Sequence, residues 1–160
     1  MKNKIILFII SFFCFLASCY SQKNIKEFVQ LNHENVMVIK GDKLKITLIP
    51  TTNNRKRSVV VKTFRNNEQY DNKRITIAEY NKIIELIMQT EQKDIDPSLG
   101  ANRRFQVAVI DGGTNSITLK RDTLEKKLYT SGISKEYHNQ FYEATELILK
   151  AAKLEINDLD

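Results

Sequence analysis

GDKLKITLIP, residues 41–50, decides the fold class. Leu44, Ile46 and Leu48 alternate with Lys45, Thr47 and Ile49. That period of two belongs to a pleated strand, which sends successive side chains to opposite faces. Val36, Val38 and Lys40 lead into Gly41-Asp42, a turn signal, and Pro50 ends the run, so the segment reads as half of a β-hairpin. Thr51 to Asn54 make a polar turn. Ser58 to Phe64 follows as a third strand, rich in β-branched Val59, Val60 and Val61 that suit a half-buried pleat.

Toward the C-terminus, Arg65 to Lys73 reads as a polar loop. Thr76-Ile77-Ala78-Glu79 then fits a capping box, in which Thr76 and Glu79 satisfy each other's free backbone N–H groups. Tyr80, Ile83, Ile84, Ile87 and Met88 continue at helical spacing, and the helix should fade near Glu91, before Asp96-Pro97 and Gly100. Strand alternation returns at Phe105, Val107 and Val109. Asp111-Gly112-Gly113 joins it to an arm through Ile117 and Leu119, and Leu128-Tyr129 adds a short strand. Ser134 then caps a long helix whose stripe is Tyr137, Phe141, Ala144, Ile148 and Ala151. The expected order is βββ-α-βββ-α. This is an α+β fold: an antiparallel sheet of five to six strands with two helices packed on it.

Toward the N-terminus, residues 20–34 are polar with scattered apolar positions. They suggest a tether followed by a strand or short helix around Ile25 to Leu31. Lys2 and Lys4 precede an apolar run from Ile5 to Ala17, broken only by Ser11. The run suits an export signal and is short of the ~20 residues a bilayer span requires. Its end, Leu16-Ala17-Ser18-Cys19, resembles the lipobox of bacterial lipoprotein signal peptides. That resemblance covers residues 1–19 and implies cleavage before Cys19 and a thioether-linked diacylglyceryl group on its sulfur. The two acyl chains of that group anchor stably where one would hold only marginally, and the freed amine often takes another, such as palmitate. Two alternatives stand: cleavage after Ser21, giving a soluble secreted or periplasmic protein, and an uncleaved anchor. The expected organisation is a signal at 1–18, lipidated Cys19 and tether to 34, one α+β domain at 35–155 and a polar tail at 156–160.

Composition then narrows the chemistry. The chain carries +6, and loss of two lysines with the signal leaves +4. Such a balance favours lipid headgroups, anionic envelope polymers or an acidic partner, and is too weak to point to nucleic acid. Cys14 and Cys19 are the two cysteines. With one discarded and the other acylated, the mature domain has no disulfide, thiolate ligand or cysteine nucleophile.

Catalytic and metal motifs fail at particular positions. His33-Glu34 opens like a zinc-binding H-E-x-x-H, but the second histidine is replaced by Met37. His138, beside Tyr142 on the last helix, reads as a satisfied helix-edge histidine, and nothing supports a metal site shared with His33. Asp94-x-Asp96 would need a bidentate Glu where Phe105 stands. Glu79 and Glu85 lie on different sides of their helix. Ser58 and Ser116 each precede a lysine by four residues where S-x-x-K needs three, and no G-x-S-x-G is present. Asp111-Gly112-Gly113 joins two strands and lacks the helix N-terminus that holds phosphate. Basic clusters remain. Arg55-Lys56-Arg57 has Lys62, Arg65, Lys73 and Arg74 close in sequence, and Arg103-Arg104 opens a strand. They read first as solvated guards of a sheet edge, and functionally as a binding patch. No cofactor or metal is expected. The expected function is a non-enzymatic interaction domain tethered in the cell envelope, engaging a protein partner or an anionic envelope component, in the manner of an adaptor, assembly factor or inhibitor. The alternative is a small-molecule or envelope-polymer binding protein, and the third reading is an enzyme built from distant carboxylates or tyrosines.

Overall fold

The structure is a computed structural model that describes residues 26–35, 42–51, 58–95 and 113–159. Six strands form one antiparallel sheet: β1 (Glu27–Asn35), β2 (Asp42–Pro50), β3 (Ser58–Arg65), β4 (Glu68–Thr76), β5 (Thr114–Arg121) and β6 (Leu124–Ser131), in the order β4-β3-β2-β1-β5-β6. Helices α1 (Ile77–Gln89), α2 (Gln92–Ile95) and α3 (Lys135–Ala151) follow their strands, and a 3-10 turn, Ile156–Leu159, closes the described chain. The α+β class and the antiparallel sheet under packed helices are as expected.

The order differs. Among the described residues it is four strands, helices, two strands, helix. The Arg65–Lys73 loop is instead a tight turn at Asn66-Asn67 followed by β4. Both asparagines take positive φ, 52° and 71°, the left-handed conformation that a short hairpin turn demands. Asn66 is further clamped to Lys43, donating its N–H to the Lys43 carbonyl at 2.9 Å and accepting the Lys43 N–H on its side chain at 3.0 Å. β4 escapes the alternation test because it is an edge strand. Ile75 is its single aliphatic residue, half-buried, and polar residues occupy most of both faces.

β1 likewise begins earlier than the expected domain boundary. Residues 27–34, placed with the tether, form the central strand, and Val29 and Leu31 are fully buried. The expected hairpin arm at Val36 to Lys40 and the strand through Phe105, Val107 and Val109 lie outside the described residues.

Register puts the core on one face of the sheet. Leu31 is flanked by Ile46 and Ile117, Val29 by Leu48 and Leu119, and Leu48 by Val61. Onto these pack Tyr80, Ile83 and Ile87 of α1, Phe141, Ala144, Ile148 and Leu149 of α3, and Ile95 of α2. The stripe expected on α3 is rotated at its start. Tyr137 is 47% exposed, and His138 takes the inward position instead. Asn139 (φ 1°, ψ −87°) interrupts the helix there, so spacing counted back from Phe141 no longer holds. The C-terminal segment is docked rather than a free polar tail. Leu159 is buried in the core, and the Asp158 side chain accepts the Glu155 N–H at 2.7 Å.

α1 starts at the expected box. Thr76 Oγ1 accepts the Glu79 N–H at 3.2 Å, and Glu79 Oε2 accepts the Thr76 N–H at 2.8 Å. The Thr76 hydroxyl also donates to Glu79 Oε2 at 2.7 Å, and the bonds to the carboxylate hold it below its ordinary pKa, through the Thr76 backbone N–H first and the hydroxyl second. Thr76→Ala should lower stability by about 1 kcal/mol at neutral pH in urea denaturation. A carboxylate with a depressed folded-state pKa contributes above its unfolded pKa and stops contributing as pH falls through the folded value. The gap between wild type and Thr76→Ala should therefore narrow below the usual glutamate range.

Candidate functional site

The sheet face turned away from the helices has no described element over it. Strand pairing arranges its side chains in rows. One row runs Asn72, Lys62, Thr47, Gln30, Thr118 and Lys127; the next runs Gln69, Phe64, Lys45, Asn32, Ser116 and Tyr129. Amides and hydroxyls fill the centre, and lysines stand on either flank. The central groups are tied together: Gln30 Nε2 donates to Asn32 Oδ1 at 3.0 Å, and Asn32 Nδ2 donates to Ser116 Oγ at 3.4 Å. Lys45 lies over the Phe64 ring at 5.7 Å from its centre, which holds the charge against the sheet. An open-sided depression of about 290 Å³ at the β1–β5–β6 end is lined by Asn32, Ser116, Lys127 and Tyr129 among others. Tyr129 is 51% exposed, so its ring is available as a stacking platform.

Ion pairs gather mainly elsewhere. Arg65 grips Asp42 with Nε and Nη2 at 2.9 and 2.5 Å, and Arg121 holds Glu27 at 2.8 Å, both at the sheet ends on the helix side. The Arg65 hydrogen bond keeps the Asp42 carboxyl below the ordinary aspartate range. Lys73 pairs with Asp71, and Lys126 with Glu91 at 3.4 Å. On the open face the described pair is Lys43–Glu34 at 2.6 Å. Lys62, Lys120 and Lys127 have no described carboxylate within ion-pair distance.

The two histidines lie in neighbouring polar groups on the opposite face, near the top of the sheet. His33, Asn115 and Thr130 sit side by side on β1, β5 and β6. The Asn115 amide is oriented by its Nδ2, which donates to the Gly132 carbonyl at 3.3 Å. Its Oδ1 thus faces His33 Nδ1 at 2.9 Å, which makes that nitrogen the N–H donor. Nε2 is buried with no hydrogen-bond partner. His138 Nδ1 accepts the Ser134 N–H at 3.0 Å, and its Nε2 is 3.4 Å from the Thr130 hydroxyl. These bonds engage both ring nitrogens. A cleft of about 230 Å³ is lined by His138 and Asp94 among others. Among the described residues no cluster of three metal-ligating side chains exists. Tyr80 also buries its hydroxyl, and that burial first, with the Glu27 carboxylate nearby, pushes its pKa up.

The histidine network makes an asymmetric prediction. Asn115→Leu strands both the His33 N–H and the Gly132 carbonyl, and should lower stability by about 2–4 kcal/mol. His33→Leu strands only the Asn115 oxygen and removes an already unpaired nitrogen, so its effect should be about half as large. Urea denaturation of the two variants checks the order.

Of the site residues expected from sequence, Cys19, Arg55, Lys56, Arg57, Arg103 and Arg104 all lie outside the described residues. Of the cations on the open face, Lys62 and Arg74 are those named beside the basic cluster in the sequence, whereas Lys43, Lys45, Lys120 and Lys127 are not. Their signal is the lysines at every second position, Lys43 and Lys45, opposite the apolar phase of the same strand. No described helix is long and apolar enough to cross a membrane. No protein-family model, curated protein or solved structure matches the chain significantly.

Proposed function

We propose that this protein is a non-enzymatic interaction domain, held in the bacterial envelope by a lipid on Cys19, and that the open face of its sheet is the docking surface. The observation that carries this reading is the pairing of a broad face, over which no described element lies, with a helical layer on the other side; that face combines amides, hydroxyls and lysines with the apolar Phe28, Ile49 and Val60. A sheet buried on one face needs nothing on the other for stability, so its solvent face is free to be shaped by binding. Acylation at Cys19 would keep this surface at the membrane. A pull-down from solubilised envelope tests the reading. A saturable component should be retained by the wild-type chain and lost with Lys62→Glu/Lys127→Glu; equal recovery by both proteins would contradict it.

A second reading rests on the depression beside Tyr129. An exposed ring flanked by Asn32, Ser116 and Lys127 suits a sugar ring of an anionic envelope polymer, stacked on the aromatic and hydrogen-bonded by its neighbours.

A further inference from the structure

Charge is segregated between the two layers. The open sheet face carries six cations, Lys43, Lys45, Lys62, Arg74, Lys120 and Lys127, against the carboxylates Glu34 and Glu125. The helical layer, residues 77–95 and 135–159, carries nine carboxylates against five lysines. Among the described residues the open sheet face is thus net positive and the helical layer net negative, with the sheet between them. The positive side spans six strands, about 24 Å at the usual strand spacing.

We infer that this face lies flat on an anionic bilayer surface, with the acidic helices turned outward. The inference rests on the docking-surface reading above and names its partner. Charge complementarity supplies the attraction, and each lysine near anionic headgroups adds to it. The same field repels the acidic layer, so orientation follows from segregation rather than from net charge. Separate lysines on a broad sheet match a field of headgroups better than a single acidic side chain, which one pocket would serve. Reach also fits. Six residues separate Cys19 from Lys26, and the seven steps between them can extend at most about 25 Å. Lys26 enters the sheet at the end of its central strand, where its carbonyl accepts the Asp122 N–H at 2.8 Å. A short tether at mid-sheet holds the face within reach of the surface and raises its effective concentration there.

The test uses the mature chain with Cys19→Ser, so that no acyl chain contributes. It is floated with vesicles of phosphatidylglycerol mixed with phosphatidylcholine, or of phosphatidylcholine alone. Binding to the anionic vesicles is expected, weakening as salt rises, with little to the neutral ones. Lys62→Glu/Lys127→Glu should weaken it about tenfold or more, while Lys82→Glu/Lys150→Glu on the helices should not. Matching thermal melts establish that both variants are folded. Absence of binding, equal binding to both vesicles, or sensitivity only to the helix variants would overturn the inference. If vesicles fail but an acidic envelope protein is retained through Lys62 and Lys127, the docking surface stands and the bilayer does not. If neither is retained, both readings fall.

Discussion

Gly113→Ala should lower the unfolding free energy by about 3 kcal/mol or more, measured by urea denaturation. Gly113 leads into β5 with φ at +66°, a conformation an added methyl group disfavours. A Cβ at this position would also stand 2.3 Å from the Glu34 carbonyl oxygen and 2.9 Å from Asn35 Cα. Both are backbone atoms of β1, which pairs with β2 on one side and β5 on the other, so neither can move without shifting the centre of the sheet. The Gly113 carbonyl meanwhile accepts the Gly132 N–H at 2.7 Å, tying β5 to the end of β6. The substitution therefore pries apart the strands that carry the His33–Asn115 contact. A Gly113→Ala variant as stable as wild type would show that β1 and β5 do not approach this closely.

Phe141→Ala should be comparably severe, about 3–5 kcal/mol, because the ring is fully buried where α3 crosses the sheet and truncation leaves a cavity. Tyr137→Ala, one turn earlier, should change stability by only about 0.5 kcal/mol or less. Helical spacing alone puts the two residues on one stripe. The break at Asn139 separates them, and thermal or urea melts of both variants read that separation directly. Equal losses would restore an uninterrupted stripe.

Legibility follows burial. β2 and β3 are readable because one face is apolar and the other is not, and α1 because the Thr76–Glu79 box marks its start. β4 is not, since an edge strand with polar residues on both faces has no period to detect, and its turn uses Asn66-Asn67 in place of the glycine that usually marks one. β6 runs for eight residues, yet only Leu128-Tyr129 stands out, because lysines and glutamate occupy most of the positions before them. The candidate site is harder still. Runs of cations such as Arg55-Lys56-Arg57 and Arg103-Arg104 are conspicuous in a linear chain, but a sheet gathers neighbours from separate strands. Lys62, Lys45 and Lys127 come from three strands, and only register places them on one surface. The acidic layer opposite them is equally invisible without knowing which elements share a layer.

Whether the open face is the docking surface is tested most directly by placing a photo-crosslinking amino acid at Asn32, in its centre, or at Glu143, on the exposed side of α3, in otherwise intact protein in its native envelope. Light should yield a saturable adduct from position 32 that is lost when Lys62 and Lys127 are reversed to glutamate, and little from position 143. Adducts from position 143 alone, or adducts at 32 indifferent to those charges, would contradict it.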